Sequence, residues 1–239
     1  MRPADALRVG VKMVSLAGLE AALAPLGLRL CGGVRPQAGE AHAARAGTLL
    51  VIGNAGAAMW QAFCRDVPPA VCDASANPLD DWIRRAVDAV AASLGARPIY
   101  PGDGPPFPPF QRWAMRAEPV HPSPLGILIH PVYGLWHAYR AALAVAEVLP
   151  LPPPSVSAHP CAACADKPCI AACPAAALGA GRYDVGRCVA HVRSAAGRAC
   201  REEGCIARRA CPVGRSHRYP ADELAHHMGS FLRNCPAEG

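Results

Sequence analysis

Apolar positions along the chain follow two different periods, and together these predict a mixture of helices and strands. The clearest helix covers residues 78–94, where apolar side chains recur every three or four positions on one face. Asn77 is its predicted N-cap, Pro78 opens the first turn and Gly95 ends the helix. The continuous apolar run of residues 48–52 predicts a buried strand.

Weaker patterns extend this mixture to the rest of the chain. Residues 11–31 indicate an amphipathic helix followed by a strand, and residues 97–100 and 126–133 favour extended structure. Residues 135–149 leave two alternatives open, because their alanine-rich composition favours a helix while their position after a turn suits a paired strand. Residues 220–232 predict a final helix with one apolar face that packs on the body.

A proline-rich segment, Leu149–Ser155, divides the chain into an α+β part, residues 1–154, and a cysteine-rich part, residues 155–239. The 239 residues are 52% hydrophobic, which is enough for a core. No uninterrupted apolar stretch reaches the length of a membrane span. The residues after Met1 lack the basic and apolar regions of a secretory leader, so we expect a cytoplasmic protein that does not enter a membrane.

Eight of the twelve cysteines form two groups, each of which ends in Cys-Pro. The first is Cys161-x2-Cys164-x4-Cys169-x3-Cys173-Pro174, and the second is Cys188-x11-Cys200-x4-Cys205-x5-Cys211-Pro212. Closure by Cys-x3-Cys-Pro is typical of [4Fe-4S] clusters, and in two-cluster proteins the last cysteine of each group binds the other cluster. The spacing therefore predicts two ligand sets: Cys161, Cys164, Cys169 and Cys211 for one cluster, and Cys173, Cys188, Cys200 and Cys205 for the other.

Two other uses of these cysteines stay open. Disulfide bonds require an oxidising compartment, which the leaderless N-terminus does not favour. Two four-thiolate zinc sites are the other alternative, although zinc sites favour paired Cys-x2-Cys and only Cys161 and Cys164 form such a pair. The repeated Cys-Pro ending favours iron–sulfur clusters over both. Most of the four scattered cysteines are expected to be small buried apolar side chains or incidental thiols: Cys31, Cys64, Cys72 and Cys235.

Charge narrows the choice of partners. The formal net charge is +6, and two clusters of about −2 each would reduce it to roughly +2. Net charge alone therefore gives no argument for nucleic acid as a partner. Nine arginines and three acids lie between Arg182 and Arg218. We interpret them first as compensation for the cluster thiolates, with a basic face for an acidic electron donor or for RNA as the alternative.

The run Ile129-His130-Pro131-Val132-Tyr133-Gly134-Leu135-Trp136 resembles a motif of the cobalamin-processing, CblC-type proteins, and Phe110-Gln111-Arg112 resembles the Tyr-Gln-Arg upstream of it in that family. An α+β domain followed by a two-cluster module is similar to epoxyqueuosine reductase and the reductive dehalogenases. Arg187-Cys188-Val189-Ala190 resembles an Arg-Cys-Ile-Ser run of that reductase, and Asp103-Gly104-Pro105-Pro106 its Asp-Ser-Ala-Pro. The second cysteine group departs from the reductase in its longer spacings, so tRNA modification is kept as an alternative only.

The resemblance implies a nitroreductase-like first domain that holds cobalamin and a ferredoxin-like module that supplies electrons to it. It implies Asp103 as a proton donor and a set of cofactor-binding residues: Gln111, Arg112, His130, Tyr133 and Trp136. Six of the thirteen aromatic residues fall within residues 105–140, as a broad apolar cofactor cleft requires. FMN is the second candidate cofactor. We expect an oxidoreductase reduced by a flavodoxin, a ferredoxin or a reductase, and the alternative is a plain electron carrier.

Overall fold

The computed structural model describes residues 15–153, 155–179 and 181–235. These residues combine helices and strands throughout, which confirms the mixed α+β class. The strands are β1 Arg29–Val34, β2 Thr48–Ala55, β3 Arg97–Ile99, β4 His121–Pro122, β5 Leu128–Ile129, β6 His137–Val145, β7 Leu178–Gly179 and β8 Arg182–Tyr183. The helices are α1 Leu16–Leu23, α2 Ala58–Asp66, α3 Pro69–Ala74, α4 Pro78–Leu94, α5 Phe110–Ala117, α6 Pro168–Ala171, α7 Val185–Arg193, α8 Arg198–Glu202, α9 Ile206–Ala210 and α10 Ala221–Asn234.

A four-stranded antiparallel sheet in the order β1-β2-β6-β3 forms the centre of the molecule. The two central strands pair along most of their length, with Leu50 opposite Leu143 and Val51 opposite Ala142, and one irregularity falls at Arg140. One face, which includes Leu50 and Leu143, packs against the apolar sides of α1, α2 and α4. The other face, which includes Val51 and Ala142, packs against Trp113 of α5. Helices on both faces bury the central strands, which explains the continuous apolar run in β2.

The strongest sequence patterns are confirmed. Residues 48–52 lie inside β2, α4 covers residues 78–94, and Gly95 ends that helix in the left-handed conformation, with φ 63°. Asn77 occupies the N-cap position, but its side chain makes no capping hydrogen bond. Instead, its backbone N–H donates to the Ser75 hydroxyl at 3.1 Å. The helix and strand expected in residues 11–31 are present as α1 and β1, and residues 11–14 lie outside the described residues.

The structure corrects one pattern near residue 130 and decides between the two alternatives left open for another. The strand expected over residues 126–133 is wrong except for β5, because the chain turns back at His130, whose backbone pairs with that of Gly134. Residues 135–149 contain strand β6 rather than a helix. Its alanines suit the centre of this sheet because small side chains let helices approach closely from both faces, so tertiary packing overrides their helix propensity.

The cysteine-rich part folds as short helices and one small hairpin, and it shares an apolar core with the first part. Ile129 and Leu135 pack in one cluster with Cys169, Ala207 and Cys211. The final helix α10 is confirmed and packs back on the body, where the indole N–H of Trp60 donates to Asp222 at 2.8 Å. No helix within the described ranges is both long and apolar enough to cross a membrane.

Candidate functional site

The first set of predicted ligands converges on a narrow recess. Cys161, Cys164, Cys169 and Cys211 line it together with Ile129. Cys169 lies in the single-turn helix α6 and Cys211 directly follows α9, and these two helices contact each other. Burial raises the pKa of the Cys161 thiol, and the nearby thiols of Cys211, Cys169 and Cys164 raise it further. A cysteine from the second sequence group therefore lies among three cysteines of the first group.

Three of the four cysteines of the second set lie on the wall of a larger cavity of about 550 Å³. Cys173, Cys188 and Cys205 line this cavity, and Cys200 is buried in α8. Burial raises the pKa of the Cys205 thiol, to which the charges of Cys200 and Cys188 also contribute. Burial likewise raises the pKa of Cys188, and Cys173 and Cys200 contribute to that rise. The last cysteine of the first group thus lies among the cysteines of the second.

All twelve cysteines belong to the described residues, and each is a free thiol. Within the described part of the chain, no three histidine, cysteine or acidic side chains lie close enough together to hold one metal ion. That geometry concerns a single ion, whereas the four thiolates of a cubane each bind a separate iron.

The scattered cysteines do not share one environment. Cys31 is buried and Cys64 is exposed, so a buried apolar role applies to Cys31 and not to Cys64. Cys235 lies close enough to Cys188 for its charge to affect the pKa of that thiol. Its position in sequence, far beyond the second Cys-Pro, carries no signal for this proximity.

The 550 Å³ cavity lies between the sheet and the cysteine-rich part. Strand β6 contributes Tyr139 and Arg140 to one wall, while Arg208 of α9 and Phe231 of α10 contribute to the other. Much of the remaining lining is apolar: Leu125, Ile127, Leu128, Leu178 and Met228. A second cavity of about 370 Å³ also borders Tyr139 and Arg140 and continues toward Arg84 and Tyr100. Broad apolar walls with a few polar groups are typical of cofactor sites.

One of the five predicted cofactor-binding residues lines the larger cavity. Gln111 is there, and its side-chain amide donates to the backbone carbonyl of Gly126 at 3.3 Å. The described residues that line this cavity do not include Arg112, His130, Tyr133 or Trp136. Neighbours of these positions, Tyr139 and Arg140, lie on the wall instead. The aromatic and basic composition of residues 105–140 was the available signal for them.

The turn at residues 130–134 contacts the second Cys-Pro segment rather than the cavity. His130 stabilises the turn because its Nδ1 accepts from the backbone N–H groups of Val132 and Tyr133, at 3.0 and 3.2 Å. Gly134 and Gly214 both have positive φ, and their backbones pack so closely that a Cβ on Gly134 would overlap the backbone of Val213. The turn therefore fixes the chain that follows Cys211.

Trp136 supports a cavity residue from behind. Its side chain is fully buried, and the guanidinium of Arg208 lies over its ring with 4.6 Å to the ring centroid. The same guanidinium is 4.8 Å from the ring centroid of Tyr219, and its Nε donates to the backbone carbonyl of Leu135 at 3.1 Å. These contacts hold one positive charge on the cavity wall between two aromatic rings.

A buried polar network fixes Tyr139 on the opposite wall. Its hydroxyl donates to Glu118 at 2.9 Å, and Arg29 donates to the other carboxylate oxygen at 2.7 Å. Burial raises the pKa of Tyr139, and the charge of Glu118 adds to that rise, so the hydroxyl keeps its proton. The buried His137 also lines the cavity, and burial lowers its pKa to about 4.

Asp103 lies in a turn after β3 and pairs with Arg84 at 2.7 Å. Its other carboxylate oxygen accepts from the backbone N–H of Tyr100 at 2.8 Å. Burial alone would raise its pKa, but these two hydrogen bonds outweigh burial and the pKa is lowered. An ionised carboxylate has no proton to donate at neutral pH, so this geometry favours a role in fixing the turn.

Several arginines of the basic segment bind backbone carbonyls. Arg193 donates to Leu232 and Cys235, and Arg201 donates to Val192 and Ser194. The positive charges of Arg215 and Arg218 lower the pKa of Cys211, against the larger effect of burial. Structural clamping and charge compensation therefore both occur in this segment.

No family model and no curated protein sequence matches the chain.

Proposed function

We propose that this chain is an oxidoreductase that passes electrons through two [4Fe-4S] clusters to a cofactor held in the cavity beside them. The observation that carries the proposal is the interleaving of the cysteines: each of the two sites combines three cysteines of one sequence group with the last cysteine of the other. That arrangement is the one that two-cluster ferredoxins use. On this basis we infer a ferredoxin-like module within residues 155–239.

The donor set fits two clusters. Cys161, Cys164, Cys169 and Cys211 would hold one, while Cys173, Cys188, Cys200 and Cys205 would hold the other. Bound clusters supply one-electron transfer, and hydrogen bonds to the sulfurs together with burial set the potential. The protein excludes water with apolar side chains such as Ile129 and Leu135, which pack against the first site.

The proposed cofactor would bind in the cavity next to the second site. Three ligands of that site share the 550 Å³ cavity with Tyr139 and Arg140 of β6, so a bound cofactor would lie beside the electron source. Because the second cluster would itself occupy the cysteine end, the cofactor would extend toward the adjoining 370 Å³ cavity. A corrinoid is the first candidate, since this shape is broad and its lining is apolar with few polar groups. The first part of the chain would then be a nitroreductase-like domain.

Anaerobic titration with cobalamin tests this proposal. Ala138 lines the cavity and lies in β6, whereas Ala92 is exposed on α4. Ala138→Leu should narrow the cavity and weaken cobalamin binding at least tenfold, with the iron content unchanged. Ala92→Leu adds the same atoms at an exposed position and should bind cobalamin like the wild type.

Each other outcome of the titration identifies a different function. Binding of FMN in place of cobalamin, lost in Ala138→Leu, would assign the cavity to a flavin. No binding of either cofactor by protein with intact clusters would overturn the cofactor claim and support a plain electron carrier. Tight binding of tRNA that resists added salt would favour a tRNA-modifying reductase.

A further inference from the structure

Glu223 is a carboxyl group enclosed in the protein without a hydrogen-bond partner. It lies in the first turn of α10, and its relative exposure is 0%. Among the described residues, neither of its carboxyl oxygens has a hydrogen-bonding partner. A buried ionised carboxylate without partners is very costly, so such a group keeps its proton.

His227 lies one helical turn after Glu223 and connects it to the cavity. Its Nε2 is 3.5 Å from a carboxyl oxygen of Glu223 and is itself buried. The side chain of His227 lines the 550 Å³ cavity, where its ring lies 5.7 Å from that of Tyr219. The imidazole therefore stands between the buried carboxyl group and the space beside the second cysteine set.

The charges facing this pair come from three elements. Burial raises the pKa of Glu223 to about 8, although the positive charges of Arg140 in β6 and Arg208 in α9 oppose the rise. Asp222, its neighbour on α10, raises the pKa slightly more. Burial lowers the pKa of His227 to about 2, and both arginines and His226 lower it further. At neutral pH the pair thus holds a neutral acid next to a neutral imidazole.

We propose that Glu223 and His227 form a proton relay into the cavity, with Glu223 as the proton store and His227 as the group that meets the ligand. This inference rests on the proposed function, because it assigns the relay to a ligand reduced in that cavity. In a two-electron reduction, a reduced ferredoxin- or flavodoxin-type donor supplies both electrons one at a time and is oxidised.

The proton transfer uses both nitrogens of the imidazole. The N–H bond at Nδ1 of His227 breaks as its proton bonds to the ligand, and Nε2 takes the proton from the Glu223 carboxyl group. The second proton of the reduction comes from solvent. Glu223 is left as a carboxylate and His227 carries its proton on Nε2. Nδ1 then takes a proton from solvent in the cavity while the Nε2 proton returns to Glu223, which restores the resting pair. His227 alone, being neutral and buried, could not keep a proton in reserve, and Glu223 supplies that reserve.

Infrared spectroscopy of the purified holoprotein tests the relay without any ligand. The wild type should show the C=O stretch of a protonated carboxyl group at pH 7, and Glu223→Gln should abolish it. Glu20→Gln removes an exposed carboxyl group on α1 and should leave the band unchanged. On transfer to D2O the band should shift rapidly in the wild type and at least tenfold more slowly in His227→Leu.

Three results would overturn the relay: absence of the band, a band insensitive to Glu223→Gln, or equally fast exchange in His227→Leu. If Glu223→Gln does not fold, His227→Gln identifies the group instead, because a new partner should move the frequency of a Glu223 band. Iron and acid-labile sulfide are measured on the same samples. Clusters missing from protein that passes the exchange test would remove the electron-transfer function and leave the relay intact.

Discussion

Single buried residues determine what the cavity can do chemically. Tyr139 and Arg208 are held by partners that leave their polar atoms satisfied, and both point to fixed positions on the cavity wall. Glu223 has no such partner, so its ionisation lowers the stability of the fold. The protonation state of the Glu223 carboxyl group therefore affects the free energy of unfolding.

Stability should therefore depend on pH through Glu223. Its pKa rises from 4.5 to about 8 on folding, so its contribution is complete below pH 4.5 and is lost as the pH rises through 8. Glu223→Gln should remove this dependence. The difference in unfolding free energy between variant and wild type should grow with pH by at most about 1.4 kcal/mol per unit. Chemical denaturation between pH 6.5 and 8.5 measures it.

The comparison with Glu20→Gln controls for the loss of a carboxyl group in general. That variant should follow the wild type over the whole pH range. Parallel stability curves for Glu223→Gln and the wild type would show that Glu223 is already ionised in the folded protein.

At this scale the sequence predicts residues whose chemistry is tied to spacing. The eight cysteines stand out in the sequence because they form two groups that each end in Cys-Pro. Glu223 and His227 lie on a helix that the sequence predicts, but an amphipathic pattern does not show which polar residue is enclosed when the helix docks. Only the contact of α10 with the sheet and with Arg140 and Arg208 creates their environment.

Among the structural elements, the turn at residues 130–134 has the clearest structural purpose. It holds the backbone after Cys211 in place through the close approach of Gly134 and Gly214. The resemblance of the sequence motif implies part of a cofactor pocket, whereas the turn packs against the segment that follows Cys211. Apolar periodicity could not distinguish these roles, because both produce buried aromatic residues followed by a glycine.

Substitution of Gly134 should expose this role. Gly134→Ala combines strained backbone at φ 59° with an overlap on Val213, while Gly95→Ala has φ 63° and no atom nearby. The control should lose roughly 1–2 kcal/mol from the left-handed conformation alone. Gly134→Ala should lose clearly more in thermal unfolding and about half of the bound iron, because the chain beyond Cys211 must move. Equal losses in both variants would mean that the turn does not fix the first cysteine site.

Strand β6 illustrates why element type is hard to predict from composition. Its alanines favour a helix locally, yet the residues pair with β2 along eight positions and are largely buried. The buried strand β2 pairs with β1 on one side, and its backbone groups on the other side pair with β6. Local composition does not reveal this requirement, because it arises from the whole sheet. The helical type of α4 is easier to predict, because its seventeen residues repeat one apolar face without interruption.

Considered as a whole, the molecule places a cysteine-rich layer against one end of a helix-covered sheet. The proline-rich segment near residue 150 separates the two in sequence, but not in space, because Leu135 and Cys211 share one apolar cluster. Residues of both parts line the cavity, so the sequence of one part alone could not predict it. The proposed function therefore needs both parts, because three cysteines of the second set line this cavity.

Metal and sulfide analysis of anaerobically purified protein tests the central claim most directly. The wild type should contain about eight irons and eight acid-labile sulfides per chain. Cys173→Ser and Cys211→Ser should each lose about half, with Cys173→Ser impairing the site of Cys188 and Cys211→Ser that of Cys161. Cys64→Ser, at an exposed cysteine, should match the wild type. Zinc in place of iron, without acid-labile sulfide, would contradict the account.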